Sequence, residues 1–134
     1  DRGRRGFPAL ARCGRGKLSL FVRDGFDAAL VQLPGVAFVD QWDARVAKVG
    51  GKVFCLLTDY EPRCIVFKCS EESFDILTSL DGVTQARYFA KRKWVSAEAD
   101  SALGEDDLRA YAARSHALVA VGLTKKLRAE LGVI

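Results

Sequence analysis

One histidine, three prolines and no methionine occur among 134 residues. With His116 alone, a Ser-His-Asp or Cys-His arrangement would have to be built around a single ring. That ring falls in the middle of a predicted helix beside an apolar stripe, where a partly buried or surface histidine is the simpler reading. The cysteines, Cys13, Cys55, Cys64 and Cys69, form no Cys-x-x-Cys pair, which removes the common zinc frameworks. Free thiols in a reducing cytoplasm are expected instead of a disulfide framework. No apolar run approaches the roughly 18 residues of a membrane helix, and the stretch 18–22 is too short for the core of a secretory signal. No catalytic constellation, cofactor or metal site is therefore expected, and no membrane partner.

Two weaker signals fail on inspection. "GRGKLS" resembles a phosphate-binding loop, but Ala11 stands at its first glycine position and Leu18 where magnesium needs a hydroxyl. Glu98, Asp100, Glu105, Asp106 and Asp107 have the composition of a hard-cation site. Their spacing matches no EF-hand loop, and acids at a helix start are explained by the helix dipole.

What is present in quantity is positive charge, with a formal net of +4 and a pI near 9.0. It is unevenly placed. Residues 1–23 hold seven basic groups against Asp1, leaving 14 basic and 16 acidic residues for the rest. The body is thus close to neutral, and a case for nucleic acid rests on local patches. Residues 1–18 read as a basic tail, an unusual native start, the remnant of a longer chain or an Arg-rich transit segment. Residues 19–134 read as a single domain, long enough to bury its own core.

Along that domain, Phe26, Ala29, Leu30 and Leu33 have helical spacing, with Asp24 available as the cap and Pro34-Gly35 as the stop. A strand is expected at 36–40. Apolar stretches on both sides of Gly50-Gly51 predict a hairpin, because a two-residue turn needs positive φ at both positions. "DYEP" makes the next turn and "RCIVFKC" another strand. Ser70 can cap a helix begun by Glu71 and Glu72, with Phe74, Leu77 and Leu80 on one face and Gly82 as its stop. After a loop, a strand is expected at 94–99, with Trp94, Ser96 and Glu98 on the face opposite Val95 and Ala97. Leu108, Tyr111, Ala112, Ser115, Leu118 and Val119 form a helical stripe. Gly122 breaks it, Thr124 opens a short final helix and Gly132 closes that helix. The expected fold is α+β with two layers, an antiparallel sheet of about five strands against helices in the order α-β(3-4)-α-β-α-α.

Taken in order, "LPGV" at 33–36, "KVGGKVF" at 48–54, "KCSEES" at 68–73, "AKRKWV" at 90–95, "SHALV" at 115–119 and "LTKKLRAEL" at 123–131 resemble the MmcQ/YjbR family. The resemblance covers about residues 24–133 and implies a compact fold similar to frataxin-like and secretion-chaperone-like domains. It also implies DNA binding, the usual description of the family, and supplies no catalytic residues. Two departures stand out: His116 where tyrosine is common, and Thr124 where proline is common.

Three basic groups are the nucleic-acid candidates. Lys48 and Lys52 flank the glycine turn. Arg87, Lys91, Arg92 and Lys93 surround Tyr88, Phe89 and Trp94. Lys125 and Lys126, followed by Arg128, lie on the last helix. Lysine and arginine neutralise phosphates and an exposed aromatic can stack on a base, which predicts weak, salt-sensitive and largely nonspecific DNA binding. Such residues also simply keep sheet edges soluble, and aromatics pack well in strands. The competing expectation is a protein partner docked on the open sheet face, in the manner of an adaptor or chaperone.

Overall fold

The computed structural model describes residues 19–86 and 93–132. Helix α1 (Arg23–Leu30) leads into strands β1 (Val36–Gln41), β2 (Ala44–Val49), β3 (Lys52–Thr58) and β4 (Cys64–Lys68). Helix α2 (Glu71–Thr78) follows, then β5 (Val83–Gln85), β6 (Trp94–Glu98), α3 (Glu105–Ala120) and α4 (Lys125–Leu131). The described strands form one antiparallel sheet in the order β1-β2-β3-β4-β6-β5. This is the expected α+β arrangement with one strand more, since β5 occupies part of what reads as a loop. Its three residues carry only Val83 into the core, too short a run for alternation to announce.

Several local signals act as their chemistry dictates. Gly50 and Gly51 take φ of 60° and 82°, the two left-handed positions of the hairpin. The Ser70 hydroxyl accepts from Ser73 N–H at 3.1 Å, and Thr124 Oγ1 accepts from Leu127 N–H at 3.1 Å. Gly132 closes α4 in the left-handed conformation. Elsewhere tertiary contacts shift the boundaries. Helix α1 begins two residues early, so Val22 occupies the cap and Asp24 lies in the first turn. Helix α2 stops at Thr78 with Ser79 as its cap, and Gly82 serves instead as the left-handed entry to β5. The chain is also tied down before α1. Leu20 N–H and Ser19 Oγ each donate to the Glu105 carboxylate at 3.0 Å, and Leu20 and Phe21 are buried.

The helices' buried residues all belong to one face of the sheet. Phe26, Phe54, Phe67, Leu77, Leu108 and Val119 are among the residues that fill that layer. A second buried cluster, Ala44, Val46, Leu56, Val66 and Ala86, lies on the other face and includes no helical residue. Val46 there is 0% exposed and Leu56 6%.

A bulge in β3 controls how α3 sits. Ala47 pairs with Cys55 and Lys48 with Val53, so Phe54 is the extra residue and its carbonyl falls out of the β2 ladder. The Ser115 hydroxyl, 0% exposed on α3, donates to that carbonyl and accepts from Lys68 N–H at 2.8 Å. One side chain therefore satisfies two backbone groups that the ladders leave open.

Candidate functional site

The strand register decides where the basic candidates lie. Val36 pairs with Val49, Val49 with Lys52, and Lys68 with Trp94, so these positions share one end of the sheet. The opposite end holds Gln41, Ala44, Thr58, Cys64 and Glu98. Lys52, Lys68 and Lys93 belong to the first end, whereas Lys48, one pair further in, sends its ammonium along the strands toward Gln41. Lys125 and Lys126 join them because α4 rests on the glycine hairpin. A Cβ built on Gly50 would stand 2.8 Å from the Leu123 δ-carbons and 3.2 Å from Leu127 Cδ2. Gly35 is used in the same way, its Cβ position being 2.8 Å from Leu131 Cβ. Three separated motif stretches, "LPGV", "KVGGKVF" and "LTKKLRAEL", thus meet because glycine lets the last helix approach the turns.

Alanine at position 50 should accordingly loosen α4. Its φ of 60° disfavours a side chain by about 1–2 kcal/mol, before any displacement of Leu123. Hydrogen exchange is expected to quicken at the α4 amides while β4 and β6 stay protected.

Lys48 and Lys52 are close in the hairpin but lie on opposite faces. Lys48 follows Val46 on the side away from the helices, and its Nζ donates to Gln41 Oε1 at 3.2 Å. Lys52 Nζ lies 3.9 Å from where a Cβ on Gly122 would stand, on the helix side. Val49 pairs with Lys52 and Lys48 with Val53, so alternation across the two-residue turn puts the two lysines on opposite faces. Trp94 is half-buried against the Val66 and Ala86 cluster, on the face expected for it, while Val95 and Ala97 are fully buried in the main core. Arg87, Lys91 and Arg92, with Tyr88 and Phe89, fall outside the described residues. Their flanks are at the basic end: Ala86 N–H donates to Trp94 O at 3.0 Å, and Cys69 N–H to Lys93 O at 2.6 Å. Lys68 was not among the residues singled out from the sequence. Its position at the end of a strand that returns from "DYEP" was the available clue.

Ion pairing divides the molecule. Among the described residues the ion pairs are made by Arg23, Arg45, Arg63 and Arg109, with Asp27, Asp40, Asp59, Glu61, Glu105 and Asp106. Most of these carboxylates lie toward the end opposite the lysines. There the hydrogen bond from Arg23, aided by Arg45, holds the Asp40 carboxyl below its usual range. Lys48, Lys52, Lys68, Lys93, Lys125 and Lys126 make no ion pair among the described residues. Glu71 and Glu72, exposed in the first turn of α2, are the acids nearest to Lys68 in the chain. The near-neutral sum of the body therefore conceals a separation of charge along the strands.

His116 is buried at 5% exposure, which corrects the expectation of a partly buried or surface ring. Its Nε2–H donates to Pro34 O at 2.7 Å, and its ring meets the Phe54 ring edge to face at 5.2 Å. It keeps what tyrosine at this place would offer, a flat ring with a donor at its far edge. The described cysteines, Cys55, Cys64 and Cys69, are free. Burial pushes the Cys69 thiol up to about 11 and raises Cys55 further. A raised thiol pKa stabilises the fold below the ordinary value of 9.0, and that contribution is lost as pH climbs through about 11. Iodoacetamide at neutral pH is expected to spare Cys55 and Cys69 in the native protein and to modify them in urea, which mass spectrometry would resolve. Among the described residues no three of His, Cys, Asp and Glu are grouped to hold a metal ion, and no helix is long and apolar enough to cross a membrane.

An antiparallel sheet with its helices on one face and a lysine-rich strand end defines a small α+β domain. The sequence model of the YjbR family matches residues 31–118, and the chain belongs to that family. Two solved structures share its fold. A Deinococcus radiodurans protein, DR2400, with a DUF419 domain is 21% identical, with a TM-score of 0.77 over 89% of this chain and 94% of that one. A Pseudomonas syringae protein is 19% identical, with a TM-score of 0.60 over 72% of this chain and 97% of that one. No protein with a curated description matches.

Proposed function

We propose that the domain is a non-catalytic, cytoplasmic DNA-binding protein that holds the phosphate backbone against its lysine-rich sheet end. The observation that carries this reading is the gathering of Lys52, Lys68, Lys93, Lys125 and Lys126 there without carboxylate partners among the described residues, while the described ion pairs belong to the arginines. A phosphate backbone laid across the strand ends would meet Lys52, Lys125 and Lys126 on the helix side, and Lys48 on the other face once its ammonium exchanges Gln41 for a phosphate. Arg87, Lys91 and Arg92 would add to it from between Ala86 and Lys93. The helix at this end, α4, is only seven residues long and rests on the hairpin, so the binding is read as nonspecific and strongly weakened by salt. A protein partner on the open sheet face has less support, because the apolar residues of that face are buried.

Fluorescence anisotropy of a labelled duplex, titrated at low and then increasing salt, tests the reading. The full chain is compared with a variant carrying glutamine at Arg2, Arg4, Arg5, Arg12 and Arg15. Binding that survives in the variant belongs to the domain. Binding lost completely with those arginines assigns the activity to residues 1–18 and defeats the proposal.

A further inference from the structure

Beside the lysine-rich end, α2 and α3 leave a groove of about 320 Å3 lined mainly by carbon. Its walls include Lys68, Cys69, Tyr111, Arg114, Leu118 and Val121. Three features favour one occupant. First, Tyr111 is stacked on Phe67, with centroids 5.6 Å apart and planes at 28°, and the Arg114 guanidinium lies 4.9 Å over the Tyr111 ring. This layered arrangement holds a planar cation at the groove. Second, the lining contains two basic residues and no carboxylate, and neither Lys68 nor Arg114 makes an ion pair among the described residues. Third, the groove is continuous with the lysine-rich end, since Lys68 belongs to both and Cys69 N–H is bonded to Lys93 O.

We infer that this groove takes one unpaired nucleobase of a single-stranded nucleic acid. Phe67 and Arg114 occupy the two faces of Tyr111, so the base lies against Leu118 and Val121 and on the outer face of the Arg114 guanidinium. Every base has a flat apolar face, so such a groove is indifferent to sequence but distinguishes an unpaired strand from a duplex. The buried Cys69 thiol, held protonated, contributes wall and no chemistry. This inference rests on the proposed binding of phosphates by the lysines, and adds a preference for single strands.

Anisotropy with the full chain, using a labelled mixed-sequence single strand and a hairpin duplex of equal phosphate number, tests it. Ala117 is exposed on α3 and lines the groove, so Ala117→Phe fills the space without altering charge. Loss of one stacked base is expected to weaken single-strand binding about tenfold and leave duplex binding within about twofold. Arg114→Lys keeps the charge but loses the flat guanidinium, and should reduce single-strand binding by about threefold to fivefold with the duplex again unaffected. Thermal melting checks that both variants fold, and Arg114→Lys carries the test alone if Ala117→Phe does not. Unchanged single-strand binding in the variants, or equal losses for both probes, overturns the groove and leaves the lysine reading intact. Failure of the wild-type chain to bind either probe removes both.

Discussion

Replacing Lys52, Lys125 and Lys126 with glutamate in the full chain is expected to weaken duplex binding at low salt by about two orders of magnitude. Each lysine that neutralises a phosphate releases a condensed counterion, so removing three also makes the salt dependence shallower by about 0.9 logarithmic units per lost contact. Reversal goes further than neutralisation, because the new carboxylates repel the same phosphates. The matched control is the opposite end: Asp43→Lys and Asp107→Lys change net charge without placing lysine at the proposed contact. If affinity follows net charge alone, the control variant binds more tightly in proportion to its two reversals. If the lysine-rich end is the contact, its three reversals dominate and the control has a small effect. The three lysines are exposed, and none makes an ion pair among the described residues, so the triple variant should keep its melting temperature within a few degrees.

Ser115→Ala should destabilise the fold by about 2–4 kcal/mol, since it strips the partner from the Phe54 carbonyl and the Lys68 amide together. Both groups lie between the sheet and α3, where water cannot easily replace the hydroxyl. Urea denaturation should show a lower midpoint with an unchanged slope, the mark of lost stability without a change in exposed surface. Leu118→Ala on the same helix is the comparison. Its side chain is 38% exposed and outside the core, so its cost should be well under that of the serine. Equal losses for the two would mean that the bulge finds another partner, and that Ser115 is not what joins α3 to the sheet.

The difference between the two positions could not be seen in the helical periodicity. Ser115 and Leu118 belong to one stripe, and hydropathy alone would bury the leucine and expose the serine. The structure does the reverse because a bulge across the interface presents a carbonyl, and a polar side chain that meets it loses nothing by burial. The same cause hid His116: a partly buried or surface ring is what the sequence suggests, and its partner is the carbonyl of Pro34, 82 positions away. Lys48 stands two residues before Gly50 and Lys52 one after Gly51, so the two-residue turn itself puts them on opposite faces. The extra residue at Phe54 lies beyond both, and leaves no mark in a run that is apolar throughout.

Features governed by a few neighbouring residues were legible without coordinates. Positive φ at Gly50-Gly51, the hydroxyl caps at Ser70 and Thr124 and the alternation around Trp94 each depend on chemistry within about one turn or one strand. The α+β class follows from their order. Which end of the sheet is basic depends on how strands far apart in sequence are registered, and which polar groups are buried depends on what faces them across the core. A register and a facing surface are properties of pairs of segments. The chain's own residues set the local pieces, and the tertiary structure alone brought the lysines of four motifs to one end and paired none of them with a carboxylate among the described residues.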